Sequence, residues 1–423
     1  MRDKIFYTPK MVDENRADLP ALAFVSSHGE PCANAQYTDK LAKIFAVSFN
    51  TTILDIQSAA TLKQPGLDAE NKAEAHIGRI CEQLSRFALV NIQCEMGLYG
   101  YTVEQCKRRL FNLCSHSSNL LYTLHSYSIR GDDFEEAHRF IFNSLLERPS
   151  VRPWKILVHL PRDRQILIDR FNVPAKNIIV YPVLSLSAPE RESFISSSDP
   201  LEWKKRHGLG PDDIVIGRIG YFSENKDFIT GLKALSILPE NYKMAFVGGQ
   251  HFQTIKEMQI HPSIAEVVDY IDSCDASMMQ SFGLGPTSNL LLRNKTFFLG
   301  NRGPKSIYEA ICNVDIVLVN YLETRQSGSL VASLCLELGK PALMSYNNTF
   351  IEYEKLFPDC FEFFNMGNHY EIAYKIKNFE PAKTLNIGKH MANYTIEKLS
   401  DIYLGLAHSF NNSTSSVELS LPL

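Results

Sequence analysis

Short apolar runs rich in β-branched and aromatic residues alternate along this chain with longer stretches of helical period, a pattern that predicts stacked βαβ units around parallel sheets. A first series of strands is predicted at Ala21 to Ser26, Thr52 to Ile56, Ala88 to Gln93, Asn119 to Leu124, Lys155 to His159 and Ile178 to Pro182. The polar stretch Ala188 to Pro200 interrupts the alternation and reads as a linker. Strand signals resume at Ile214 to Ile219, Lys243 to Val247, Thr296 to Leu299, Asp315 to Val319 and Pro341 to Ser345. From about Ala382 to Phe410 the pattern is helical, and the closing Asn-Asn-Ser-Thr-Ser-Ser stretch offers little to bury.

The 423 residues exceed what one hydrophobic core usually organises, so two α/β domains are expected, over 1–190 and 191–400, with 401–423 as a helix end and tail. A formal net charge of -4 gives no field that would draw the chain to nucleic acid. The nine cysteines include no Cys-x-x-Cys, and the start has no apolar leader, so the chain reads as reduced and cytoplasmic. Lys107, Arg108 and Arg109 form a basic run on a predicted helix. It reads either as a solvated face or as a peripheral contact with anionic lipid at the inner face of a membrane.

Parallel α/β sheets bind ligands at the carboxyl ends of their strands. After Asp315 to Val319 the chain enters a small-residue turn, Ser327-Gly328-Ser329, that opens a helix. Such a turn either cradles a diphosphate on free backbone N–H groups or simply caps the helix. After Ile214 to Ile219, Gly220 and Lys226 occupy the strand-to-helix loop, where the lysine stands ready to neutralise phosphate or is merely solvated.

These loops, with Phe246-Val-Gly248-Gly249, resemble the C-terminal half of GT-B glycosyltransferases of the large retaining family (glycosyl transferases group one). Gly29-Glu-Pro-Cys-Ala-Asn34-Ala35, Gln93-Cys-Glu95-Met-Gly97 and Thr123-Leu-His125 look like the glycine-rich, middle-strand and Thr-Leu-His segments of a bacterial branch. The resemblance spans most of residues 20 to 400 and implies two Rossmann-like doubly wound domains facing a central cleft.

It further implies a nucleotide-sugar donor held by Gly220, Lys226, Gly248, Leu299, Ser327, Gly328 and Ser329, with His125, Glu95 and Glu323 as catalytic candidates. Gly29 and Asn34 fall on the acceptor side, and the acceptor expected is a glycan, a lipid-linked glycan or a protein. Retention of configuration is implied, no cofactor is expected beyond the donor as substrate, and no Asp-x-Asp motif calls for a metal. The chain departs from the family where two glutamates usually flank the Ser-Gly turn: Gln326 and Leu334 stand there, and Glu323 lies three residues before the first. Cys94 stands where relatives often carry histidine. An inactive GT-B partner subunit and a sugar-nucleotide epimerase are the competing readings.

Overall fold

A computed structural model describes residues 6–7, 18–30, 32–126, 132–250, 259–300, 303–322, 326–379 and 384–411. Glu323 and the tail from residue 412 lie outside them. The chain forms two compact units, one of Met1–Ser187 with Arg325–Gly328 and Tyr394–Leu423, the other of Ala188–Thr324 with Ser329–Asn393.

In the first unit the strands are β1 (Phe6–Tyr7), β2 (Ala21–Ser26), β3 (Asn50–Asp55), β4 (Leu89–Cys94), β5 (Leu120–Leu124), β6 (Trp154–Val158) and β7 (Ile178–Val180). They form one sheet in the order β1-β3-β2-β4-β5-β6-β7, parallel except for β1. Because helices cover both faces, β4 and β5 are buried at every position, the polar Asn91, Gln93 and Thr123 included, so burial does not alternate along them.

The second unit contains β8 (Ile214–Ile219), β9 (Tyr242–Val247), β10 (Thr296–Gly300), β11 (Ile316–Val319), β12 (Ala342–Ser345) and β13 (Glu362–Phe364) in the order β10-β9-β8-β11-β12-β13, all parallel. This is the 3-2-1-4-5-6 order of a doubly wound sheet, whose direction of winding reverses between β8 and β11. In the first unit the reversal falls between β2 and β4.

Three expectations change. The supposed linker is folded: Ala188–Ser196 and Pro200–Arg206 are helices, the second capped by Asp199 accepting from the Glu202 N–H at 3.0 Å. The second unit does not run to residue 400, because the chain from Tyr394 returns to the first unit, where helix Ile396–Asn411 packs on β4 and on helix Ala33–Phe45. The basic run is not a shared exposed face. Arg109 is fully buried, pairing with Glu70 and Glu74 at 2.7 Å each and donating to the Leu62 and Tyr99 carbonyls, while Arg108 also pairs with both glutamates. That leaves no three-charge patch to meet lipid. None of the described helices is long and apolar enough to cross a membrane.

Candidate active site

On the β10-β9-β8 side of the second sheet's reversal point, three strands end on glycines in a backbone conformation that other residues rarely adopt. Gly220, Gly248 and Gly300 follow or end β8, β9 and β10 with φ of +106°, +135° and +73°. They are stitched together by Gly220 N–H donating to Val247 O (2.8 Å) and Gly248 N–H donating to Gly300 O (3.0 Å). Backbone without side chains at strand ends leaves room for a ligand to approach closely.

The loop from β8 zips onto the loop from β11. Asp227 N–H donates to Asn320 O (3.1 Å), Leu322 N–H donates to Asn225 O (2.9 Å), and Lys226 bridges Tyr321 between them. Asp227 then caps helix Phe228–Ile237 through the Thr230 N–H at 3.0 Å. Lys226 is thereby fixed at the switch point, its Nζ donating to Tyr221 O (2.8 Å) and lying 5.4 Å from the centre of the Tyr321 ring. No carboxylate among the described residues pairs with it. Burial, and then the charge of Arg218, pull its ammonium down to about 7.

Arg218, which the sequence reading passed over, is buried on β8 and donates to Leu318 O (2.8 Å) and Asn320 O (3.4 Å), with no ion pair among the described residues, and burial lowers it to about 10. Its Nε and the Oδ1 of the fully buried Asn320 have no partner among the described residues. Two buried cations with no counter-charge among the described residues are what an anion site looks like before the anion arrives, while the orphaned Asn320 oxygen calls for a donor.

The Ser-Gly-Ser turn is partly spoken for. Ser329 caps helix Leu330–Glu337, accepting from Ala332 N–H (3.3 Å), and its own N–H donates to Tyr353 Oη (2.8 Å). Ser327 is the contrast, since its Oγ is buried with no partner among the described residues. Gly328 is half-buried between them. Leu299, half-buried in β10, lies one position after Phe298, which is exposed and stacks on Phe246 at 4.9 Å.

The first unit gathers its predicted residues at its own reversal point. Gly29 follows β2 with φ +65° in an exposed turn. Asn34, on the first turn of helix Ala33–Phe45, reaches the end of β4 with Nδ2 donating to Gln93 O (3.5 Å). Glu95 follows β4 and accepts from Ser126 Oγ at 2.8 Å. His125 follows β5, placed between Gln93 Oε1 (2.6 Å from Nε2) and His159 Nε2 (3.0 Å from Nδ1). Burial, then His159, hold its imidazole well below the usual range, so it is neutral at pH 7. His159 was visible in the sequence only as the end of a strand. Cys94 turns into the core, its Sγ taking a hydrogen bond from Tyr122 Oη (2.8 Å), and burial pushes the thiol far up, out of acid–base chemistry.

No family model matches the sequence, and no curated protein matches it. Solved structures do. A glycosyltransferase from Rickettsia africae superposes with a TM-score of 0.65 at 11% identity, covering 94% of this chain and 100% of that one. Sucrose-phosphate synthase from Thermosynechococcus elongatus gives 0.62 at 14% identity with the same coverage. HepE of Anabaena, in complex with UDP and glucose, gives 0.59 at 13%, again over 94% and 100%.

The chain has the GT-B fold. Within this GT-B chain the two positions of the missing glutamate pair are now located. Leu334 is buried at 2% exposure in helix Leu330–Glu337, and Gln326 is exposed, its carbonyl accepting from Arg162 Nη2 at 3.0 Å.

Proposed function

We propose that this GT-B chain is a glycosyltransferase that moves a sugar from a nucleotide-sugar donor to a glycan or lipid-linked acceptor, with retention of configuration and without a divalent metal. The observation that carries the reading is Lys226, a cation that no carboxylate among the described residues pairs with, at a glycine-built strand edge beside a second buried cation, Arg218. Loss of a nucleoside diphosphate builds negative charge on the leaving phosphates, and a preorganised cation lowers the barrier by stabilising that charge. Lys226 supplies it by direct contact. Arg218, whose forks are spent on carbonyls, contributes its field. HepE, of the same fold, is in complex with UDP and glucose, which favours a donor of that class. Retention follows from the resemblance, with the departing phosphate assisting attack on the same face. Gly29 and Asn34, at the strand ends of the first unit, are assigned to the acceptor side, and His125 and Glu95, with Glu323, to catalysis.

The test is a thermal-shift screen against UDP, GDP, ADP, CDP and their sugar conjugates in chelator-treated buffer, repeated with Lys226→Ala. The expected result is a rise in Tm with one diphosphate that Lys226→Ala abolishes. Binding without turnover of any sugar conjugate would point instead to an inactive GT-B subunit.

A further inference from the structure

His125 and His159 stand at the ends of neighbouring strands, their rings stacked at 5.0 Å and 28°. The hydrogen atoms they carry can be deduced from the two ends of the chain of contacts they join. At one end, His159 Nδ1 lies 3.0 Å from Tyr181 O. A carbonyl only accepts, so His159 Nδ1 bears hydrogen.

At the other end, His125 Nε2 faces the side-chain amide of Gln93, and which atom Gln93 presents is fixed one step further on. Asn91 Nδ2 lies 3.0 Å from Leu121 O and 2.8 Å from Thr123 Oγ1. The Leu121 carbonyl needs a donor, so Asn91 turns its Oδ1 the other way, where Gln93 Nε2 and Tyr403 Oη donate to it. Gln93 has then committed its NH₂ group and shows His125 its oxygen, 2.6 Å from Nε2. His125 Nε2 must therefore also bear hydrogen.

Both outer nitrogens are thus N–H groups. When the rings are neutral, the two inner nitrogens, His125 Nδ1 and His159 Nε2, are both bare and face each other at 3.0 Å. A single proton converts that opposition of lone pairs into an N–H···N hydrogen bond, and there is no place for a second. We propose that His125 and His159 form a buried site for one shared proton, with Gln93 and Asn91 as positioning residues that keep the inner nitrogens bare.

The surroundings decide when the site fills. Tyr37, from helix Ala33–Phe45, meets both rings edge-on at 5.7 and 6.4 Å, and Tyr181 contributes its carbonyl. Glu95, the carboxylate at the end of β4, is held by Ser126, and no carboxylate among the described residues bonds either ring. Burial opposes the charge and brings His159 down to about 4, so the pair is empty near pH 7 and loads on acidification. The inference rests on the first unit alone and does not depend on the transferase reading.

The decisive experiment is long-range ¹H–¹⁵N correlation NMR of the full chain labelled at histidine. At pH 7.5 the expected result is His125 as the Nε2–H form and His159 as the Nδ1–H form. Gln93→Leu releases His125 Nε2, so His125 is expected to switch to the Nδ1–H form and donate to His159 Nε2, a change that general loosening of the core would not produce. Finding His125 already as Nδ1–H in the wild-type protein would overturn the proposal whether or not the variant folds. In the wild type on acidification, both inner nitrogens should move in one step; two separate titrations would equally overturn it.

Discussion

A β-carbon on Gly248 would stand 2.3 Å from the carbonyl oxygen of Gly220. The two glycines end neighbouring strands, and the contact is between backbones, so no rotamer change can relieve it. With φ at +135° as well, Gly248→Ala is expected to cost about 1–3 kcal/mol from backbone conformation alone. The clash should add to this, and chemical denaturation of the second unit measures the sum. Gly29→Ala, also at positive φ but with nothing within 4 Å of its β-carbon, should cost less than Gly248→Ala. An equal loss at both positions would mean that the strand-end contact is not what requires glycine.

Lys226 makes diphosphate binding depend on pH. Free, its ammonium is held at about 7, and an arriving anion favours the charged form, so above that pH binding must take up a proton. The dissociation constant of the preferred diphosphate is expected to weaken by up to about tenfold per pH unit between roughly 7.5 and 9. Lys226→Arg, always charged, should remove the slope, though its planar fork need not keep the affinity. Calorimetry in buffers of different ionisation heat reads the proton directly. A flat profile across this range would separate Lys226 from the ligand. In the empty protein the sign runs the other way: the unfolded chain holds the extra proton between about 7 and the ordinary lysine value, so Lys226 adds stability as pH rises through that window.

Much of this was legible in the chain. Stretches such as Leu89–Cys94 and Ile214–Ile219 are mostly apolar because their strands are covered on both faces, and the loops after them had to hold the chemistry. What stayed hidden was hidden for physical reasons. β13 is three residues long and β1 two, too short for any period to emerge. Asp199-Pro200 looks like a turn and is a helix start, since Asp and Pro are favoured both in turns and at the N-cap and first position of a helix. Arg218 sits inside a strand pattern and His159 at the end of one, where a single polar residue is outvoted by its apolar neighbours. The fate of Arg109 depended on Glu70 and Glu74, more than thirty residues away and on a different helix.

Leu334 bears on whether the missing glutamate can simply be restored. The side chain is buried in helix Leu330–Glu337, whose residues Ala332 to Glu337 are all buried. Leu334→Glu should therefore destabilise the second unit by about 3–5 kcal/mol, the usual result of an uncompensated buried charge. Leu334→Met should be tolerated within about 1.5 kcal/mol. Urea unfolding of both variants is the check. If Leu334→Glu folds as well as the wild type and gains turnover, the position faces the ligand after all.

The return of the C-terminal helix to the first unit makes the clearest prediction about stability. Tyr403 is buried against Phe45 at 5.0 Å and Phe24 at 6.2 Å, and its hydroxyl reaches Asn91 Oδ1 at 3.3 Å. Ahead of it, Tyr181 Oη both donates to Thr395 O (2.6 Å) and accepts from Thr395 N–H (3.0 Å), and near the helix end Asn119 Nδ2 donates to Asn411 Oδ1 (2.9 Å). Tyr403→Ala should cost the first unit about 3–5 kcal/mol, as other large aromatic truncations in cores do. Tyr403→Phe keeps the ring and should lose only about 1 kcal/mol, the net worth of one hydrogen bond. Ending the chain at Asn393 should expose Phe24 and Phe45 and leave the first unit unable to fold, although every strand of both sheets is still present. Limited proteolysis of that truncation tests the argument: a first unit as resistant as in the full chain would show that the returning helix is dispensable, and that the sheet and its own helices close the core unaided.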